Sequence, residues 1–182
     1  MNFSLSKSIE ILERTPDVLN AMLYNISNDW TSNNEGGESW SVYDIVGHLI
    51  HGEKTDWIPR MEIILSDKPE KKFDLFDRFA QFEESKVKSL PQLLDEFKQL
   101  RTKNIAQLLS KKITPENLEE KGVHPAFGEI TLAQLLSTWT VHDLNHIAQI
   151  SRVMAKQYKP EVGPWVEYLK IRNSKLLKSY QH

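Results

Sequence analysis

The stretch Trp139-Thr140-Val141-His142-Asp143-Leu144-Asn145-His146-Ile147 decides the fold and, with it, the chemistry to look for. It lies within Thr131 to Lys156, where Leu132, Leu135, Leu136, Trp139, Ile147, Ile150, Val153 and Met154 recur at three- and four-residue spacing. Apolar residues at that period line one face of an α-helix, so the spacing predicts a long amphipathic helix with one buried stripe. His142 and His146 fall on that stripe, where the pattern asks for Leu or Ile. Side chains four apart stand one turn above each other on the same face, a geometry that suits two cis ligands of one metal ion. Two core histidines without an ion would have to stay neutral and find partners for all their ring nitrogens inside an apolar bundle.

Outward from this helix the chain reads as further helices joined by polar turns. Thr131 caps the His-bearing helix and Pro160 cannot continue it; Gly163-Pro164 then begins a short C-terminal helix through Trp165, Tyr168, Leu169 and Leu176. Upstream, Ser89-Leu90-Pro91 starts a helix carrying Leu93, Leu94, Phe97, Leu100, Ile105, Leu108 and Leu109 and ending near Lys112. Thr114-Pro115-Glu116 opens a short helical turn, and Gly122 to Ile130 reads as a small loop or ribbon.

The N-terminal half supplies two more helices. Leu5, Ile9, Leu12, Leu19, Met22, Leu23 and Ile26 keep a helical period from about Ser4 to Asn28, with Pro16 as a kink or break. Asp29 to Glu38, with Ser32-Asn33-Asn34 and Gly36-Gly37, is a loop by its local signals. Ser41 with Asp44 forms a capping box for a second helix through Val42, Ile45, Val46, Leu49, Trp57, Met61 and Ile64, with a kink expected at Pro59. Asp67 to Lys88 is an irregular connection with an aromatic underside of Phe73, Phe76, Phe79 and Phe82. A link of about 20 residues can cross the end of a bundle, so the helices on either side of it are expected to run parallel. The fold class is all-α: one domain over residues 1–182, a four-helix bundle with a long crossover between helices two and three and a short C-terminal helix.

Composition narrows the function classes. The 182-residue chain is 40% apolar and 26% charged with a formal net charge of −2, which offers no basic stripe for nucleic acid. It contains no cysteine, which excludes disulfides, Cys-ligated zinc and a Cys nucleophile and fits a reducing compartment. No apolar run is long enough for a membrane span and Met1 to Lys7 lacks the apolar region of a targeting segment, so a cytoplasmic protein without membrane contact is expected.

Two histidines alone hold a divalent ion weakly. Candidates for a third ligand are His48 and His51 on the second helix, His124 in the loop, and the acids Glu53 and Asp56; His182 is the last residue. At about 100° per residue His48 flanks the apolar stripe and His51 lies farther round, so spacing prefers His48 without deciding.

Trp40-Ser41-x-x-Asp44-Ile45-x-x-His48-Leu49, followed by His142-Asp143-x-x-His146-x-x-Gln149-Ile150, resembles the DinB-like superfamily, the damage-inducible DinB proteins and bacillithiol-transferase-like helical bundles. Motif order, separation, helix count and chain size agree over most of the length. The resemblance implies a divalent metal ion held by His48, His142 and His146, a stress-response setting, and pairing into a homodimer. It also implies a metal-dependent enzyme acting on a small-molecule substrate. Such an enzyme would be a thiol S-transferase using a low-molecular-weight thiol or a hydrolase using water; the alternative is a non-catalytic metal- or ligand-binding module.

Three neutral imidazoles leave an ion its full charge and at least one open position, where water or a thiol becomes a nucleophile at neutral pH. Nitrogen-rich ligation suits Zn, Ni, Co, Fe or Mn without choosing among them. Asp143 and Glu53 are the candidate catalytic acids. His-Asp-x-x-His is similar to the zincin His-Glu-x-x-His, but Asp is shorter and turns about 100° from His142, which favours a supporting role. Glu53 and Asp56 fall on the inward side of the second helix, where a salt bridge to Arg60 or to another helix's Lys is the structural alternative. Trp40, Trp57 and Trp139 read as core and cap residues.

Overall fold

Buried apolar side chains fall into two layers along the computed structural model, which describes residues 3–169. The first helix of the bundle is split into α1 (Leu5–Leu12) and α2 (Thr15–Leu23), because Pro16 lacks an amide hydrogen and is tolerated only in a first helical turn. A five-residue helix, α3 (Asn28–Ser32), occupies the start of what reads in the sequence as loop, with Asp29 favourably placed in its first turn. The second bundle helix is α4 (Val42–Thr55) continued by α5 (Trp57–Ile64), and Ser41 and Asp44 form the expected capping box. The break lies at Asp56 rather than Pro59: proline's missing hydrogen bond and ring clash act on the turn before it, which leaves Pro59 inside the first turn of α5.

The crossover carries a short helix, α6 (Ala80–Ser85), before the third bundle helix, α7 (Leu90–Ser110), which starts with a Ser89–Gln92 capping box. After α8 (Pro115–Glu119) an antiparallel ribbon pairs β1 (Lys121–His124) with β2 (Gly128–Thr131), His124 facing Gly128 in register. The fourth bundle helix, α9 (Leu132–Gln157), is capped by Thr131 with Gln134. A 3-10 turn at Gly163–Glu167 stands where a longer C-terminal helix was expected; Leu176 and His182 lie outside the described residues.

Side-chain pairings fix the directions. Tyr43 at the start of α4 donates to the Lys88 carbonyl just before α7, Glu53 meets Arg101 and Asn104, and Glu62 meets Gln107 and Lys111. Residue numbers rise together along the two helices, so the second and third run parallel, as the crossover length implies. One core layer joins Leu12, Trp57, Met61, Ile105 and Leu135; the other joins Leu19, Leu23, Val42, Leu93 and Ile150. The ends of the first and fourth helices therefore lie with the starts of the second and third. Each fully buried Leu, Ile or Met stabilises the bundle by about 1.5–3 kcal/mol.

The crossover is fastened at both ends. Phe73 is buried where Gly122 of the ribbon leaves room: a Cβ at Gly122 would come within 2.5 Å of the Phe73 ring. At the other end, a Cβ at Gly47 would lie 2.5 Å from Ser85 Oγ, so glycine lets α6 rest directly on α4. That contact brings Gln81 to the level of His48.

Candidate metal centre

His48 projects from α4, about two turns past its cap Ser41, and His142 and His146 project from the middle of α9. Their side chains meet between the helices. His142 Nε2 lies 3.0 Å from His48 Nε2 and 3.1 Å from His146 Nε2, and one nitrogen from each ring falls within 4.8 Å of the others. Two nitrogens on one tetrahedral zinc stand about 3.3 Å apart, given Zn–N bonds of about 2.0–2.1 Å. The two closest separations approach that value.

Proton placement makes the cluster electrostatically demanding. His48 Nδ1 lies 3.0 Å from Gln81 Oε1, and His146 Nδ1 lies 2.8 Å from Gln149 Oε1. A carbonyl oxygen accepts, so both Nδ1 atoms carry the hydrogen and both Nε2 atoms present bare lone pairs. His142 Nε2 faces both of them and has at most one proton to give. Its Nδ1 is buried without a hydrogen-bond partner. No neutral tautomer satisfies all three convergent nitrogens, whereas a cation between them does. Gln81 and Gln149 then orient two of the rings from behind, the arrangement typical of metal-ligating histidines.

Burial keeps the imidazoles neutral and able to ligate. It pushes His48 down to about 3, helped by repulsion from His146 and opposed by the Gln81 hydrogen bond, and it pushes His146 down to about 4. His142 is held well below the ordinary range by burial and then by the neighbouring His146 and His48. Aromatic rings close the surroundings: Trp40 lies on the rings of His48 and His146, Trp57 meets His142 edge-on, and Phe76 meets His48 edge-on.

The remaining sequence candidates are elsewhere. Glu53 and Asp143 are fully buried and turn to Arg101 of α7. Arg101 Nη1 and Nη2 donate to the two Asp143 oxygens at 2.6 and 3.0 Å, and Nη2 donates to Glu53 Oε1 at 2.8 Å. Trp139 Nε1 and Asn104 Nδ2 donate to the Glu53 oxygens at 3.0 Å each, and Arg101 Nη1 also reaches the Leu12 carbonyl. Two carboxylates and one guanidinium thus occupy the core beside His142. Burial pushes the Glu53 carboxyl up, with Arg101 opposing. Asp56 pairs with Arg60, His51 pairs with Glu84, and His124 stacks on Phe127 at the ribbon turn. Among the described residues, the cluster able to hold a metal contains these three histidines and no carboxylate.

Sequence reasoning missed Arg101, Asn104 and Gln81. A signal existed for Arg101: it stands four after Phe97 and four before Ile105, on the buried stripe of α7, opposite two inward acids. Gln81 had none, because its place depends on how the crossover folds back.

Fold and site together define a four-helix-bundle protein with a candidate three-histidine metal centre. The chain belongs to the DinB superfamily, whose model matches residues 11–150. Its structure is similar to YfiT from Bacillus subtilis, described as a probable metal-dependent hydrolase with an unusual four-helix bundle topology. The TM-score is 0.71 at 22% identity, covering 84% of this chain and 87% of that one. It is also similar to TT2238, a four-helix bundle protein, with a TM-score of 0.54 at 17% identity over 81% of this chain and 98% of that one. At such identities the likeness establishes the fold. No curated protein matches the chain, and no described helix is long and apolar enough to cross a membrane.

Proposed function

We propose that the protein is a metal-dependent enzyme that binds one divalent ion through His48, His142 and His146 and activates water, or a low-molecular-weight thiol, against a small electrophile. The observation that carries this reading is the convergence of three Nε2 atoms with fewer protons than lone pairs. An ion held there supplies Lewis acidity, which turns water or a thiol into a nucleophile near neutral pH. A cluster of three neutral ligands also leaves a position for substrate, whereas structural zinc sites are usually closed by four.

The chain's own residues would do the rest. Gln81 and Gln149 hold two rings in the ligating tautomer. Trp40 and Phe76 exclude bulk water, which strengthens every charge interaction inside. Glu53, Asp143 and Arg101 form a rigid polar floor rather than a proton-transfer pair, since each of their oxygens already accepts a hydrogen bond from Arg101, Asn104 or Trp139. The water reading has the additional support of the description given to YfiT.

Burial of two of the three histidines, with His142 half-buried, favours a second reading, a non-catalytic metal- or ligand-binding module. His48 and His146 are only 8% and 7% exposed. Screening metal-loaded protein against activated esters in water, and against alkylating electrophiles with glutathione or bacillithiol, decides. Turnover that needs the metal and disappears in His142→Ala supports an enzyme, and its nucleophile separates hydrolase from transferase. Full metal occupancy without turnover across the panel leaves the binding module.

A further inference from the structure

His51 lies one turn beyond His48 on α4 but takes no part in the triad. Its Nδ1 is 3.1 Å from Glu84 Oε1 on α6. An ionised carboxylate only accepts, so this contact places the proton on Nδ1 and the lone pair on Nε2. Nε2 has no hydrogen-bond partner among the described residues. Glu84 is itself held by Lys54, 3.1 Å away through its other oxygen. A carboxylate that fixes the tautomer of an imidazole and leaves its far nitrogen free is the arrangement that makes histidine a proton acceptor.

His51 lines a cavity of about 250 Å³ between the second bundle helix and the crossover, with Thr55, Arg60, Asp74, Phe76 and Asp77 among the other walls. The cavity and the triad share one partition. The Phe76 ring centroid is 5.0 Å from that of His51 and 5.6 Å from that of His48, near edge-on to both. Phe76 belongs to a stretch of the crossover without helix or strand. Apart from Glu84 and Lys54, the titratable groups around His51 are Asp56, Arg60, Asp74, Asp77 and His48.

We infer that the Glu84–His51 pair is the proton-transfer element of the site, and that the adjoining cavity holds the non-reacting part of a small electrophilic substrate. This rests on the enzyme reading above. The substrate turns the Phe76 ring aside, and His51 Nε2 takes the proton of the attacking water or thiol as its oxygen or sulfur bonds the electrophilic carbon. It returns that proton to the leaving group as the old bond breaks. Glu84 stays ionised throughout and steadies the imidazolium.

The experiment compares metal-loaded wild type, His51→Gln and Glu84→Gln by metal content, far-UV circular dichroism, pH–rate profile and nitrogen NMR of the imidazole rings. In the wild type, NMR should show His51 protonated at Nδ1 and bare at Nε2, and Glu84→Gln should release that preference. His51→Gln should keep fold and metal content while kcat/KM falls by about 10²–10⁴, the usual contribution of general acid–base catalysis, and the acid limb of the profile disappears. Glu84→Gln should lose less and shift that limb. An unchanged rate and profile in His51→Gln, or a wild-type His51 bare at Nδ1, overturns the inference and leaves the enzyme reading intact. A wild type that binds metal and turns over nothing overturns both.

Discussion

Arg101 grips Asp143 through both ends of its guanidinium, Nη1 at 2.6 Å and Nη2 at 3.0 Å, with the arginine 1% and the aspartate 0% exposed. The same guanidinium holds Glu53, so one side chain of the third helix ties the second to the fourth immediately behind His142. Removing it leaves two carboxylates buried against each other. Arg101→Met should therefore destabilise the fold by about 3–5 kcal/mol, the cost of breaking a buried pair by deleting one partner. Urea denaturation of the metal-free protein measures this, and a loss below about 1 kcal/mol, the scale of a surface pair, would show the network to be dispensable.

Ligation makes a separate prediction. Wild-type protein reconstituted with zinc, nickel or manganese should bind about one ion per chain, through a site with three nitrogen ligands. Ala at His48, His142 or His146 should abolish tight binding, while His124→Ala should match the wild type. Gln81→Leu and Gln149→Leu should each weaken binding by about 10–100-fold, because outer partners fix the ligating tautomer. Calorimetric titration with each metal gives the comparison; unaltered affinity in both glutamine variants would mean the rings are positioned by packing alone.

The bundle was legible because its signals are local. Capping residues at Ser41, Ser89 and Thr131 and the apolar period between them locate the long helices, and the length of the 67–88 connection implies parallel second and third helices. Nothing local announces how the crossover folds back, so Gln81, Glu84 and Phe76, which surround the histidines, could not be placed. Glu53 and Asp143 were noticed as acids at inward or ambiguous positions, but their partner was not. A salt bridge from Glu53 to another helix was anticipated with Lys, whereas Arg101, with two donor ends, can hold two acids at once. The Asp29–Glu38 loop signals hold from Asn33 onward, and the short α3 before it depends on tertiary placement of Trp30 against Tyr158.

Gly122 provides a stability test of the crossover's attachment. A methyl group there would meet Phe73 ring atoms at 2.5 and 2.6 Å and Ile64 Cγ1 at 2.9 Å, and both neighbours are buried. Neither can swing into solvent without exposing apolar surface. Gly122→Ala should cost about 1–3 kcal/mol, as overpacking does. If the melting temperature is unchanged, the ribbon shifts freely against the crossover.

Asp56 makes the pH dependence specific. Burial raises its carboxyl from the ordinary 3.8 to about 6 in the folded protein, with Arg60 and then His51 opposing. Between those two values the native state binds the proton more strongly than the unfolded chain does. The stability gained from that proton is fully present below about pH 4 and lost as pH rises through about 6. A shift of roughly two units corresponds to at most about 3 kcal/mol. Asp56→Asn keeps the shape of the protonated acid but cannot ionise, so its stability relative to wild type should improve on going from pH 4 to pH 7. The Arg60 contact offsets part of this, because at pH 7 the wild-type carboxylate has a cation beside it at the break between α4 and α5. Paired urea titrations at the two pH values isolate the difference, since every other titrating group is common to both proteins. If the difference between the two stabilities is the same at both pH values, burial does not raise the Asp56 carboxyl in the fold, and if the variant loses ground at pH 7, Arg60 rather than burial governs it.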